Sequence, residues 1–197
     1  MGEGRPPVNP KAALAVGIAA VSTASILVRF SCSHPFIIAG YRMAFASLLM
    51  LALSLKAMHQ VVSLEKAELM ALLGSGLSLA IHFGSWTASL EYTSVAASTV
   101  IVDSSPIFVL MLSYLLLRER ASLRELAGIG ISIVGASVIT FGHFGAGSNL
   151  FGDLLALIGA VSLATYLVAG RKLRSKLDLA PYTALVYGIA GSVLLSL

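Results

Sequence analysis

Long apolar stretches alternate with short polar ones along nearly the whole chain. Six of them are long enough for a membrane-spanning helix, which needs about 17 to 25 residues. They cover residues 12–30, 35–57, 67–90, 94–117, 123–141 and 150–170. A seventh begins at Pro181 and is about 17 residues long where the sequence stops at Leu197, barely enough to cross a bilayer. The pattern predicts seven segments, numbered one to seven below, and we expect the chain to be truncated within the last.

The composition points to a lipid environment. Hydrophobic residues make up 57% of the chain and charged residues 11%, whereas about 25% of a soluble domain is charged. We therefore predict an all-α integral membrane protein, a multi-span helical bundle surrounded by the lipid bilayer. Segment one is too long for the apolar core of a signal peptide and has no small-residue cleavage pattern, so it should be retained. The single cysteine, Cys32, supports neither a disulfide within the chain nor a cysteine metal site.

The basic residues are distributed unevenly between the loops. The net charge of +4 alone would be compatible with an acidic partner. However, 11 of the 13 Lys and Arg residues precede segment one or flank the second, fourth and sixth loops. They are Arg5, Lys11, Lys56, Lys66, Arg118, Arg120, Arg124, Arg171, Lys172, Arg174 and Lys176. Because positive residues collect on the cytoplasmic side of membrane proteins, we predict a cell-membrane protein with a cytoplasmic N-terminus and no nucleic-acid partner.

Segment six repeats the sequence of segment one. Residues 18–28, IAAVSTASILV, and residues 158–168, IGAVSLATYLV, are identical at seven of 11 positions, at an offset of 140 residues. The next segments agree, since PFIIAGY at 35–41 and PYTALVY at 181–187 share Pro and, six residues later, Tyr. Equivalent points of the two copies are five segments apart. Because five is an odd number of membrane crossings, the second copy is inverted in the membrane relative to the first. Inverted repeats are a transporter architecture with the substrate site near the membrane midplane.

Several cues across segments two to five resemble a known family. They are Arg42 in segment two, the 93–97 stretch that opens segment four, Pro106 within it, Glu119 after it, and Gly128 and Gly135 in segment five. In order and spacing they resemble an EamA-type repeat of the drug/metabolite transporter superfamily. The resemblance implies two inverted five-helix repeats that transport small metabolites, often amino acids, or drugs. It divides the chain into a cytoplasmic tail (1–11), a first repeat (12–142), a linker (143–149) and the start of a second repeat (150–197).

A polar interruption, IVDSSPIFVL at 101–110, lies in the middle of segment four. An Asp at membrane depth costs roughly 2.5 to 3.5 kcal/mol, so Asp103 should face protein or water. Pro106 cannot donate a hydrogen bond to the carbonyl of Val102, which predicts a helix kink beside Asp103. Two interpretations stay open: the proline bends a structural helix in which Asp103 is an ion-pair partner, or this stretch lines a water-filled pathway.

Polar residues of other segments are expected at a similar depth. At 1.5 Å rise per residue, Arg42, His82, Asp103 and two serines of segment one lie about 8 to 14 Å below the outer edge. The candidate substrate-binding set is Ser22, Ser25, Arg42, His82, Trp86, Asp103 and Ser104. Its carboxylate and guanidinium groups would suit the charged ends of a zwitterionic metabolite such as an amino acid.

Structural roles compete with this interpretation. The serines of segment three form a polar stripe with His82, and serines commonly serve helix packing in membranes. Arg42 could extend to the outer headgroups, and Trp86 could belong to the interfacial aromatic belt. Glu119 is expected to form a local salt bridge with its neighbours Arg118 and Arg120. The glycines Gly128 and Gly135 are assigned to tight helix packing.

Taken together, these features favour a transporter of small metabolites, working by alternating access around a polar midplane cavity. Two alternatives are a non-transporting membrane subunit and an inactive transporter fragment. A third, an intramembrane serine hydrolase built on Gly76, Ser78, Ala80 and His82, lacks the final glycine and the strand-to-helix turn of the nucleophile motif. No metal-ligand spacing or phosphate-binding glycine loop is found, so we expect no enzyme activity, metal or cofactor. The residues do not specify an oligomeric state.

Overall fold

The computed structural model describes residues 9–31, 33–141 and 149–197, and in these ranges every regular element is a helix. Cys32, most of the predicted tail and nearly all of the predicted linker lie outside them. The helices are α1 (Pro10–Phe30), α2 (Pro35–Ser54), α3 (His59–Val62), α4 (Lys66–Tyr92), α5 (Val95–Asp103), α6 (Ser105–Leu112), α7 (Leu123–Phe141), α8 (Leu150–Leu173) and α9 (Leu179–Leu195). A π-helical turn, Ser113–Leu117, extends α6.

Within the described residues, five helical stretches are long and apolar enough to cross a membrane. They are Lys11–Phe30, Pro35–Ser54, Lys66–Tyr92, Val95–Leu117 and Leu150–Leu173. Helix α9 is apolar but shorter, at 17 residues. The expectation of an all-α, multi-span membrane protein is confirmed.

Local sequence signals start the spanning helices. Asn9 accepts a hydrogen bond from the Lys11 amide, and Pro residues occupy the first positions of α1 and α2, where their missing N–H costs nothing. At the start of α4, Glu65 and Glu68 form a reciprocal capping box. These caps satisfy backbone donors that would otherwise be exposed at the helix ends.

Helix α4 is the centre of the bundle. It packs most extensively against α8 and also contacts α9 and α2. Small residues allow the α4–α8 approach: a Cβ on Gly152 would lie 2.8 Å from both the backbone nitrogen and the Cβ of Thr93. Because backbone cannot move aside as a side chain can, only glycine fits at this position.

The fourth segment is divided at Ser104, two residues before Pro106, into α5 and α6. Ser104 bonds back to the carbonyl of Ile101 through its hydroxyl group at 2.6 Å. The segment ends at Arg118, whose φ of 57° is in the left-handed region. That conformation usually favours glycine, because a Cβ crowds the following carbonyl group.

The loops meet in two groups at opposite ends of the bundle. At one end, Lys176 of the sixth loop binds Glu68 beside the second loop at 2.5 Å, and Arg171 binds Glu119 of the fourth loop at 2.5 Å. At the other end, Arg29 beside the first loop donates to the carbonyls of Leu90 (2.7 Å) and Thr93 (3.1 Å) in and after α4. The predicted cytoplasmic loops therefore share one end.

The two helices with similar sequences run in opposite directions along α4. The end of α1 lies beside the end of α4, where Arg29 meets Leu90. The start of α8 also lies there, since Asp153 accepts a 2.7 Å hydrogen bond from Thr93. An inverted repeat requires this relationship.

Helices α2 and α9 are antiparallel and cross near Ala44. A Cβ on Gly191 would lie 3.0 Å from the backbone nitrogen of Ala44, and one on Gly40 would lie 2.7 Å from the Leu195 side chain. The Pro–Tyr match places equivalent residues of α2 and α9 146 positions apart, so Ala190 is the equivalent of Ala44. The crossing therefore joins matching positions of the two helices.

Helix α7 makes few contacts in the described residues, most of them with α5. A Cβ on Gly128 or Gly135 would meet nothing within 4 Å. No described atom of another helix therefore touches these two positions, and the packing role of the glycines stays a prediction.

Candidate functional site

The Arg42 guanidinium lies among aromatic rings inside the bundle. Its carbon Cζ is 5.4 Å from the ring centre of Phe83 and 5.8 Å from that of Trp86. Both rings come from α4, three residues apart, so they lie on neighbouring parts of one helical face. The half-buried arginine forms no ion pair within 4 Å in the part of the chain that the structure describes. Aromatic faces attract the cation but do not neutralise its charge.

His82 is the second ionisable group of this cluster. It is only 5% exposed, and its ring is parallel to that of Trp86, with ring centres 6.2 Å apart. Its Nδ1 lies 2.9 Å from the Gly159 carbonyl oxygen of α8. Because a carbonyl can only accept, Nδ1 carries the proton in this bond. In the neutral ring this leaves Nε2 as an acceptor.

Three buried side-chain atoms have no hydrogen-bond partner within the described ranges: Nη1 of Arg42, Nε1 of Trp86 and Oγ1 of Thr99. Thr99 shares its face of α5 with Val95 and Val102, which pack in the same apolar cluster as Trp86. Arg42 and Trp86 can only donate. Unpartnered buried donors are costly, so these two side chains are candidates for binding a group that supplies acceptor oxygens.

The structure thus brings together Arg42, His82 and Trp86 of the predicted set. The other four members are more dispersed. Ser25 is buried, whereas Ser22 is exposed and bonds to the Ile18 carbonyl of its own helix at 2.8 Å. Asp103 is exposed and has no ion-pair partner within 4 Å in the described ranges, and Ser104 bonds locally at the helix break.

Sequence reasoning missed three tyrosines of α8 and α9. Tyr187 and Tyr166 pack against the same core cluster as Phe83, the ring beside Arg42. The rings of Tyr166 and Tyr182 are stacked, with centres 6.2 Å apart. The Tyr182 hydroxyl lies 2.7 Å from Oγ of Ser75. The repeated Pro–Tyr pattern marked Tyr187, but no signal in the sequence placed it near Arg42.

Glu119 has a structural contact, with a different partner from the one expected. It binds Arg171 at the end of α8 rather than the neighbouring Arg118 or Arg120. The same Arg171 side chain lies 3.4 Å from Oγ of Ser113. The contact therefore connects the fourth segment to the sixth.

Comparison with known proteins identifies the family. The sequence profile of the EamA-like transporter family matches residues 11–141, about two thirds of the chain. An uncharacterized transporter of Bacillus subtilis, YvbV, is 30% identical over 146 residues, covering 74% of this chain and 48% of the relative. An uncharacterized transporter of Archaeoglobus fulgidus is 28% identical over 160 residues, covering 79% of this chain and 54% of the relative.

The chain spans about half the length of these curated relatives. No solved structure shows significant similarity to it. The family match covers the helices that carry Arg42, His82, Trp86 and Asp103. With its apolar spanning helices, the chain belongs to the EamA-like transporter family and is a multi-pass membrane protein.

Proposed function

We propose that this protein transports small metabolites carrying a carboxylate, amino acids among them, by alternating access around a polar site at Arg42. The observation that carries the proposal is the guanidinium between Phe83 and Trp86 with an unpartnered buried nitrogen. A buried charge is costly unless it is paired. A substrate carboxylate would supply the missing charge and acceptor atoms.

The aromatic rings suit this role because they hold the guanidinium without using its hydrogen-bond donors. A planar guanidinium binds a carboxylate through two parallel hydrogen bonds. The unpartnered Nε1 donor of Trp86 adds a further group nearby. A transport site also has to release its substrate, and a cation–π contact can hold the empty arginine between cycles.

We assign Asp103 to the ammonium end of a zwitterionic substrate, as the sequence predicted. It lies at the end of α5, next to the break at Ser104. Helix breaks at membrane depth free backbone groups and occur where the chain lines a cavity.

The proposal includes a cell-membrane location with the N-terminus in the cytoplasm. Its support is the excess of Lys and Arg around the second, fourth and sixth loops. Those loops also share one end of the bundle, through the contacts of Lys176 and Arg171.

Trp86 provides a direct test, because it is the only tryptophan of the chain. The purified chain would be titrated in detergent with the twenty amino acids and with simple mono- and dicarboxylates while its tryptophan fluorescence is recorded. We expect at least one carboxylate to change the emission saturably, and the change to disappear in Arg42→Gln. Asp103→Asn should weaken the response to zwitterions but not to simple carboxylates.

Uptake of the responding compound into vesicles that contain the protein then tests transport. A fluorescence response that survives Arg42→Gln would refute the assignment of Arg42. An absence of response to every carboxylate would refute the substrate class.

A further inference from the structure

A cavity of ≈ 560 Å³ opens at the end of the bundle where the second, fourth and sixth loops meet. Its walls include Val109 of α6, Tyr166, Gly170, Arg171 and Arg174 near and just after the end of α8, and Tyr182 of α9. The volume is within the usual range for a small-molecule site. None of the sequence predictions included it.

The cavity carries an uncompensated positive charge. Of its two arginines, Arg171 is paired with Glu119 at 2.5 Å, whereas Arg174 has no acidic partner within 4 Å in the described ranges. No Asp or Glu is among the residues that form its walls. A cleft lined by one sign of charge concentrates ions of the opposite sign.

Tyrosine side chains lead from this cavity towards Arg42. Tyr166 and Tyr182 form part of its wall and are stacked on each other. Tyr187 packs against the same core cluster as Tyr166 and Phe83, and Phe83 lies beside Arg42. Gly170 makes room at this wall, since a Cβ there would lie 2.6 Å from the Tyr182 hydroxyl oxygen. The tyrosines therefore belong to one cluster that extends from the cavity wall to the ring beside the half-buried guanidinium.

We propose that this cavity is the cytoplasmic vestibule of the transport pathway, in which Arg174 binds the carboxylate of the substrate before it passes the tyrosines to Arg42. The inference rests on the proposed function and adds a second binding position to it. If Arg174 only helped to set the orientation of the chain in the membrane, a positive charge anywhere near the loop would suffice, and it would not need to face the cavity. The two roles predict different results.

The test places a cysteine inside the cavity. Val109→Cys on the opposite wall would be introduced with Cys32→Ser, which removes the only native cysteine. Its modification rate in phosphatidylcholine vesicles would be compared between two methanethiosulfonates, one with a sulfonate and one with a trimethylammonium group. The ratio of the two rates measures the local potential. Lys172→Gln is the matched control, because Lys172 lies on the same helix end but not in the cavity wall.

Arg174→Gln should lower the sulfonate-to-ammonium ratio about threefold to tenfold, as expected for one nearby charge in a partly aqueous site. Lys172→Gln should change it much less. Succinate, as a small carboxylate probe, should slow the sulfonate reaction, and Arg174→Gln should abolish this protection.

Equal effects of Arg174→Gln and Lys172→Gln, or no protection by succinate, would overturn the proposal. Protection that appears only in vesicles containing phosphatidylglycerol would also overturn it, by showing that the ligand is a lipid headgroup. The Trp86 fluorescence response reports the Arg42 site separately. An intact response with a failed vestibule test would therefore leave the proposed function standing.

Discussion

Replacing Arg42 with methionine should stabilise the empty protein while abolishing its response to carboxylates. Methionine keeps the length and the apolar stem of the side chain but removes the charge. An uncompensated buried charge destabilises a protein by about 3 to 5 kcal/mol. The contacts with Phe83 and Trp86, at 5.4 and 5.8 Å, return about 1 to 2 kcal/mol.

The difference is a gain of about 1 to 4 kcal/mol for Arg42→Met. For a protein of this size, 1 kcal/mol corresponds to about 2 to 4 °C in Tm, so Tm should rise by about 2 to 16 °C. Thermal unfolding in detergent, followed by the fluorescence of Trp86, measures it. A carboxylate at about 100 times its Kd should add about 2.7 kcal/mol to the stability of the unsubstituted protein. It should add nothing to that of Arg42→Met.

Arg29→Met is the matched control. Arg29 donates to two carbonyl oxygens at the end of α4, so its loss should lower stability by about 1 kcal/mol. If Arg42→Met lowers Tm as Arg29→Met does, Arg42 has a structural role and the argument for a substrate site fails.

Three further predictions follow from helix packing and topology. Gly152→Leu should sharply reduce the amount of folded protein, because a Cβ at that position already meets the Thr93 backbone at 2.8 Å. Gly135→Leu should be tolerated by this chain, because a Cβ there meets nothing within 4 Å in the described residues. Quantified expression tests both, and loss of Gly135→Leu protein would show that another helix covers α7. Arg118→Gly should raise Tm by a few degrees, since it relieves a left-handed conformation that costs about 1 kcal/mol, and an equal rise in Arg118→Ala would contradict that reason. Reporter fusions should place loop 171–176 in the cytoplasm and loop 141–149 outside, and finding both on one side would refute the inverted repeat.

The sequence predicted the helices well and the site only in part. Spanning segments follow from the length of apolar stretches, and depth follows from the rise per residue. Depth grouped Arg42 with His82, and in the structure both lie beside Trp86. The face of the helix on which a side chain lies is harder to predict. That prediction depends on a regular helical periodicity, which a break such as that at Ser104 interrupts. For this reason the direction of the Asp103 side chain did not follow from its depth.

The tyrosines show a different limit. Tyr166 and Tyr187 lie in apolar helices where an aromatic residue is compatible with a core position, a membrane interface or a binding site. Their position relative to Arg42 depends on how α8 and α9 pack against α2 and α4. Residues that follow Arg42 by 124 and 145 positions do not reveal such packing in their spacing. The repeated Pro–Tyr pattern indicated equivalence between Tyr41 and Tyr187, not proximity to Arg42.

The position of Arg42 near the crossing of α2 and α9 fits a site that serves both faces of the membrane. Ala44 lies two residues after Arg42 and contacts Gly191. Gly191 directly follows Ala190, which is the residue equivalent to Ala44 in the second repeat. When inverted halves rock against each other, groups near their crossing move least and groups far from it move most. In the proposed transport cycle, a charge at the crossing can therefore hold a carboxylate while access changes around it, with the rings of Phe83 and Trp86 beside it. Movement of α5 and of the end of α8 would make and break the proposed contacts of Asp103 and Arg174 with the same substrate.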